Sequence, residues 1–324
     1  MIDYHGKRVM VLGGLGFIGL NLIRALVKCH AEVTIVSRSQ PPMALRWLKD
    51  ITNGIPITLL RADLREIERY QDHLDKQTVI FNLAGQSGAA KSIIESHNDM
   101  QSNVEGNLTL LEGVRKCFSR PRVVFVSSRL VYSAADGQPV AEDHTPSPLS
   151  IYGLHKLTVE HYYRLYYQHH SIPYTVMRLT NPYGPYQLPD RRGYGVINFF
   201  IMQAVRNEEI TIYGDGTQLR DYIYVCDVVD ALLSMGCHPN AVGEIFNIGY
   251  GQSISLVEAA QIIVSLSESG RVTHIPWPNM DKSVETGDFR CDISHARQTL
   301  GWKPLYDWQT GFTESVDTYR RILS

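Results

Sequence analysis

Features that would take this chain out of a reducing, aqueous compartment are missing. No apolar run approaches the roughly 20 residues that cross a bilayer, and the N-terminus lacks the apolar core of a cleavable leader. Five cysteines (Cys29, Cys117, Cys226, Cys237, Cys291) are scattered with no CxxC pair, and an odd count does not build a disulfide framework. Lys and Arg number 31 against 33 Asp and Glu, and the net charge of −2 gives no electrostatic reason to expect nucleic acid or an anionic membrane as partner. The 12 histidines show neither HxxxH nor HExxH spacing. Their densest cluster, "QHHS" at 168–171, follows a helical stretch whose end favours positive charge, so no metal site is expected. Internal repeats and low-complexity linkers are also absent. The expectation is a cytoplasmic enzyme or binding protein with a large core, its 324 residues being 44% hydrophobic.

What is present alternates. "RVMVLG" (8–13), "EVTIVS" (32–37), "ITLLRA" (57–62), "TVIFNLA" (78–84), "RVVFVSS" (122–128) and "YTVMRL" (174–179) read as buried strands, with helical segments such as 18–29 and 103–118 between them. Strand and helix in alternation imply a parallel sheet covered on both faces. Beyond residue 180, Pro, Gly and Tyr crowd "NPYGPYQLPDRRGYG" (181–195), a loop. A helix (196–207), a strand ("ITIYG", 210–214), a helix (227–236) and a strand ("EIFNIG", 244–249) follow. The expected division is a dinucleotide-binding unit over 1–180, with part of 215–240 returning to it, interleaved with a smaller α/β substrate lobe over 181–324.

"VMVLGGLGFIGLNLIRALV" (9–27) places Gly13, Gly16 and Gly19 between a strand and a helix. In that setting Gly13 permits a tight turn, Gly16 lets the backbone approach a pyrophosphate, and Gly19 allows close helix–sheet packing. The pyrophosphate rests on free N–H groups at the helix start, beside Phe17 and Ile18. The spacing is GxxGxxG, and a lone glycine triplet is weak evidence without its strand and helix. Strand two ends in Ser37 and Arg38, where an NAD-binding fold usually carries an acid for the ribose 2′-OH. A guanidinium there suits a 2′-phosphate, which leans the cofactor toward NADP over NAD. The bland alternative is a solvated loop arginine. Asp63 and Leu64, after strand three, are placed to meet the adenine.

The strand ending at Ser128 is followed by Tyr152 and Lys156, which share one helix face at i and i+4. An ammonium beside a phenol favours phenolate, so the tyrosine is expected to titrate nearer neutral pH. With a serine hydroxyl at the reacting oxygen, this is hydride chemistry on an alcohol or ketone. YxxxK alone also occurs on exposed helix faces; the strand-end serines and the glycine turn are what select the chemical reading.

On these motifs the chain resembles the extended short-chain dehydrogenase/reductases that remodel nucleotide sugars, the UDP-glucose 4-epimerase-like group. Further stretches carrying the resemblance are "NLAGQSG" (82–88), "NVEGNLTLLEG" (103–113), "RLTNPYGP" (178–185), "YGDGTQLRDYIYVCDVVDA" (213–231), "FNIGYGQSISL" (246–256) and "LGWKP" (300–304). The resemblance implies a Rossmann-type doubly wound parallel sheet with a smaller C-terminal α/β lobe, and a catalytic triad at Ser128, Tyr152 and Lys156. It further implies cofactor contacts at Leu83, Ala84 and Gly85 and a supporting role for Asn103. Substrate contacts are expected at Ser87, Ser128, Arg129, Asn181, Val196 and Arg220, the last on the diphosphate. Asp227 is expected to be structural, and Arg191 and Arg192 are weaker candidates for the phosphates.

Members of the group start alike, by withdrawing hydride from a sugar carbon, often C4. The 4,6-dehydratases resemble one another in an Asp-Glu pair directly after the catalytic hydroxyl, where this chain has Arg129 and Leu130; related decarboxylases carry a glutamate at the second position. The expected reaction is therefore 4-epimerisation of a UDP-, dTDP-, GDP- or CDP-sugar with tightly bound NAD or NADP. The alternatives are an NADPH-dependent 4-keto-sugar reductase, an atypical dehydratase, and a nucleotide sensor that keeps the fold without turnover. Glu285 stands where the group often has arginine, leaving Asp288 and Arg290 as expected nucleotide contacts. By the same resemblance the YxxxK helix and the 103–118 helix form a homodimer interface, with Val104, Leu108, Leu111 and Val114 as its apolar stripe. The alternative is that the protein's own sheet covers that stripe.

Overall fold

The computed structural model describes residues 3–133, 138–189 and 195–323. Seven parallel strands form the central sheet: β1 (Arg8–Leu12), β2 (Glu32–Ser37), β3 (Thr58–Arg61), β4 (Val79–Asn82), β5 (Arg122–Ser128), β6 (Tyr174–Leu179) and β11 (Ile245–Ile248). The four short strands between β6 and β11 are β7 (Asn181–Tyr183), β8 (Glu209–Tyr213), β9 (Leu219–Arg220) and β10 (Tyr222–Tyr224). The sheet order is β11-β6-β5-β4-β1-β2-β3. The winding reverses between β1 and β4, and ligands of open α/β sheets bind beyond the strand ends at such a reversal.

Both faces of the sheet are covered, which is why its inner strands are mainly apolar, while the edge strand β3 is only partly buried. Val9, Val11, Val33 and Ile35 pack into one core with helices Phe17–Lys28 and Val225–Cys237. Met10, Leu12, Val36 and Ile80 pack into the other with helices Gly106–Arg115 and Ile151–His170. The six strands expected before residue 180 are all there. The seventh is "EIFNIG", whose Ile245 pairs with Val176 and Ile248 with Leu179. Residues 245–248 thus complete the seven-stranded sheet.

The smaller lobe joins β8 to β13 (Arg271–Ile275) in parallel, after β12 (Ile254–Ser255) pairs antiparallel with β9. Helices Val196–Val205, Leu256–Ser267 and Trp308–Leu323 close a third core around Phe200, Ile201, Ile263 and Phe312. Ser255 starts the second of these helices with a capping box to Glu258.

The apolar stripe read on the 103–118 segment divides. Leu111 and Val114 are fully buried against the protein's own sheet, while Val104 and Leu108 are only partly covered. The reason is register: the helical face that carries Leu110, Leu111 and Val114 turns into the core that holds Ile80, Val123 and Phe125. Exposed apolar side chains on the neighbouring helix are Leu154 and Leu165. Among the described residues no helix is long and apolar enough to cross a membrane, no group of His, Cys, Asp and Glu is arranged to hold a metal, and the five cysteines are free.

Candidate active site

One cleft of about 890 Å³ runs from the glycine turn, past the ends of β4 and β5, into the smaller lobe. At its first end Gly13 takes φ +77°, and a Cβ there would lie 2.9 Å from the Ala84 nitrogen. A Cβ on Gly19 would lie 2.6 Å from the Gly14 Cα. Both sites therefore admit only glycine without backbone movement. Gly16 caps the Phe17–Lys28 helix with no side-chain hydrogen bond. The first N–H groups of that helix are thus available to an anion, as a dinucleotide pyrophosphate requires. Gly13, Gly16, Phe17, Ile18, Gly19, Leu83 and Gly85 all line this end. These residues fit a dinucleotide: a strand-turn-helix cradle that side chains would fill.

Tyr152, Lys156 and Ser128 meet in the middle of the cleft. Ser150 caps the Ile151–His170 helix by accepting from the Gly153 nitrogen at 3.1 Å, and the Tyr152 nitrogen donates to Ser92 Oγ at 3.0 Å. The cap fixes where the first turn begins, and the 3.6-residue period then stacks Tyr152 beneath Lys156. Lys156 Nζ donates to the Val126 carbonyl at 2.9 Å and lies 5.6 Å from the centre of the Tyr152 ring. Burial pushes its ammonium down to about 8, opposed by the Asp99 and Glu160 carboxylates. For Tyr152 the outcome differs from the sequence expectation. Burial pushes the phenol up, with the Asp99 charge adding to the effect and its hydrogen bond with Ser128 opposing it.

Asn103 sits in a π-turn at Gln101–Glu105, a widened turn of the kind that recurs at functional sites. It is fully buried and donates to the Gln86 carbonyl at 3.0 Å. This bond ties Asn103 to the loop that carries Gly85 and Gln86. The neighbouring Gly85, at φ +153°, leaves room for the Asn103 carbonyl oxygen.

Behind the site, Arg178 and Glu160 form an almost fully buried ion pair at 2.7 Å. Ser127 Oγ donates to Glu160 Oε1 at 2.5 Å, and Arg178 Nη1 donates to the Tyr132 hydroxyl at 2.6 Å. This network locks the β5 end against the Ile151–His170 helix.

Other expected residues fall in different places. Ser87, Arg129, Asn181 and Val196 line the cleft. Ser37 ends β2 and Arg38 follows it, both outside the cleft lining; the Arg38 side chain is 64% exposed and pairs with Asp63 at 3.4 Å. Asp63 also accepts from Arg65 Nε at 2.8 Å. Leu64 packs under Gly106, and Ala84 against Gly13. Asp288 and Arg290 are exposed and lie off the cleft; Asp288 accepts from the Leu219 nitrogen at 2.8 Å. In the segment after 284 it is Glu285 and Thr286 that face the cleft, while Phe289 turns into the core. Asp227 accepts from the Leu305 and Tyr306 nitrogens at 2.8 and 3.2 Å, the structural role expected. Arg191 and Arg192 lie outside the described residues.

Sequence reasoning missed Thr211, Tyr213 and Trp277, which line the far end of the cleft. The first two were legible: in β8 Ile210 and Ile212 are fully buried, so strand alternation turns Thr211 and Tyr213 the other way. Trp277 comes from a loop with no local signal.

The model of the NAD dependent epimerase/dehydratase family matches residues 9–249. The uncharacterized UDP-glucose epimerase YtcB of Bacillus subtilis is 32% identical over 322 residues, covering 95% of this chain and 96% of that one. The structure of UDP-glucose 4-epimerase from Thermotoga maritima with UDP-glucose superposes with a TM-score of 0.88 at 27% identity, covering 98% of this chain and 100% of that one. The UDP-glucuronic acid 4-epimerase of Bacillus cereus, in complex with UDP-glucuronic acid and NAD, gives a TM-score of 0.85 at 26% identity, covering 97% and 99%. With the glycine turn, the Ser128–Tyr152–Lys156 centre and a family match across three quarters of its length, the chain belongs to the NAD dependent epimerase/dehydratase family.

Proposed function

We propose that the protein epimerises a nucleoside-diphosphate sugar at C4 through a keto intermediate. The observation that carries this reading is the meeting of Ser128, Tyr152 and Lys156 in a cleft that joins the glycine turn to the smaller lobe. Bound NAD(P) supplies the hydride acceptor and, in the return step, the donor. Tyr152 takes the proton of the sugar hydroxyl as its carbon loses hydride, and gives it back after the keto sugar has turned over. Ser128 donates a hydrogen bond to the same oxygen and holds it against the phenol. The Lys156 ammonium lowers the cost of phenolate. No carboxylate follows Ser128, so nothing at Arg129 or Leu130 removes water or carbon dioxide from the intermediate. The similarity to epimerases that bind UDP-glucose and UDP-glucuronic acid supports the same substrate class and favours a uridine nucleotide.

One observation favours a second reading. Arg38, where a ribose-binding acid would stand, supports acceptance of NADP and hence net reduction of a 4-keto sugar. We also assign a homodimer and a cytoplasmic location, the former built on the Ile151–His170 helix, where Leu154 and Leu165 stay exposed.

Incubation of the purified protein with UDP-, dTDP-, GDP- and CDP-sugars, followed by mass spectrometry and NMR, tests the proposal. An epimerase yields a product of equal mass, inverted at C4, with no net consumption of cofactor. A product lighter by water, or heavier by two hydrogens with NADPH consumed, overturns it.

A further inference from the structure

Two arginines stand at the junction of the cleft with the smaller lobe, and they are not equivalent. Arg220, in β9, is the one that sequence resemblance assigns to the diphosphate. Its Nη2 is paired with the Glu285 carboxylate, and its Nη1 donates to the Leu219 and Gly287 carbonyls at 2.8 and 2.7 Å. Glu285 in turn accepts from the Gly287 nitrogen at 2.9 Å. Arg220 is thus tied into the 285–287 turn, its charge cancelled by a carboxylate, and it is not among the residues lining the cleft.

Arg129 has the opposite character. It follows Ser128 directly, lines the cleft and is only 8% exposed. Its contacts are neutral. Nη1 donates to Thr286 Oγ1 at 2.9 Å, Nε points to Asn181 Oδ1 at 3.5 Å, and the guanidinium lies 5.0 Å from the Phe289 ring centre. Among the described residues no carboxylate pairs with it. Burial pushes its guanidinium down to about 10, with the charge of Arg220 adding to the effect and Glu285 opposing it. A cation withdrawn from water and held by neutral acceptors at the wall of an open cleft is a costly arrangement unless an anion binds there. The carboxylate that could have neutralised it, Glu285, is used on Arg220.

We propose that Arg129, rather than Arg220, is the side chain that takes the oxyanion of the substrate, through the bidentate fork that guanidinium offers phosphate and carboxylate alike. Thr286 and Asn181 hold the fork in place, and Glu285 keeps Arg220 out of the site. This rests on the reading of the cleft as a nucleotide-sugar site. The oxyanion is either the diphosphate or a carboxylate on the sugar itself, two sources with one recognition chemistry.

Calorimetric titration of UDP, UDP-glucose and UDP-glucuronate into the wild type, Arg129→Met, Arg129→Lys, Arg220→Met and Glu285→Gln separates the possibilities. Circular dichroism first establishes that each variant is folded. If Arg129 holds the diphosphate, Arg129→Met weakens all three ligands at least ten-fold, and more than Arg220→Met does. If it holds a sugar carboxylate, only UDP-glucuronate weakens to that extent. In either case Arg129→Lys recovers part of the loss, because charge is kept and the fork is lost. Glu285→Gln is expected to tighten UDP by releasing Arg220. Unchanged binding of all three ligands in Arg129→Met, or a larger loss of UDP-glucuronate affinity in Arg220→Met than in Arg129→Met, overturns the assignment while leaving the nucleotide-sugar reading intact. A wild type that binds none of the UDP ligands, nor dTDP, GDP or CDP, overturns both.

Discussion

Asp99 Oδ1 and His155 Nδ1 lie 2.6 Å apart, so a fully buried carboxylate is anchored by the residue that immediately precedes Lys156. The same oxygen accepts from Asn103 Nδ2 at 3.0 Å. Asp99 thereby joins the π-turn to the first turns of the Ile151–His170 helix, and its charge opposes the loss of the Lys156 proton. Asp99→Asn keeps the shape and removes the charge. Lys156, already pushed down to about 8 by burial, then loses its proton at lower pH. The alkaline limb of the kcat profile is expected to move to lower pH, and a limb that stays in place would show that the Asp99 charge does not govern Lys156.

Tyr152→Phe tests the acid–base assignment. Its ring is buried, and the helix start is held by backbone bonds to Ser92 and Ser150 that do not involve the phenol. Turnover is expected to fall by about 10²–10⁴-fold, with stability and cofactor affinity nearly unchanged. Retained turnover would refute the role.

Arg38→Ala addresses the cofactor. Arg38 is exposed and, among the described residues, pairs only with Asp63, so its removal is expected to leave the fold untouched. Loss of a charge-assisted bond to a 2′-phosphate is worth about 1.5–3 kcal/mol. The expected result is roughly 10- to 100-fold weaker NADP binding and unaltered NAD binding. Equal changes for both cofactors would remove the case for NADP.

Glu160→Gln probes the network behind β5. It leaves the Arg178 guanidinium buried with no counter-charge and disturbs the bond from Ser127. Breaking a buried pair on one side typically costs about 3–5 kcal/mol, readable as a lowered midpoint of urea unfolding. A midpoint shift of less than a tenth of that size would mean that water or relaxation compensates the arginine.

The parts of this molecule that were legible in its sequence are those written locally. Strands β1, β2, β4, β5 and β6 announce themselves because they are buried on both faces, and "GGLGFIG" because a turn at φ +77° against the Ala84 backbone admits no side chain. The Tyr152–Lys156 pair follows from helical period alone. Pairing at long range was not legible. "EIFNIG" reads as a strand, yet nothing in it says that β6 is its neighbour. Nor does "VETGD" say that Glu285 reaches back 65 residues to Arg220. The Tyr152 titration was misjudged because the ammonium is visible in the sequence and the depth of burial is not.

The position of β11 has a consequence for synthesis. The edge of the sheet at β6 stays open until residues 245–248 have left the ribosome, by which time β7 to β10 and the Val196–Val205 helix have already been made. Emerging chains must keep that bare edge from pairing with one another in the interval. A gene cut near codon 180 would encode a sheet with its flank permanently unsealed, and its product should be recovered as aggregate rather than as a free-standing cofactor-binding half.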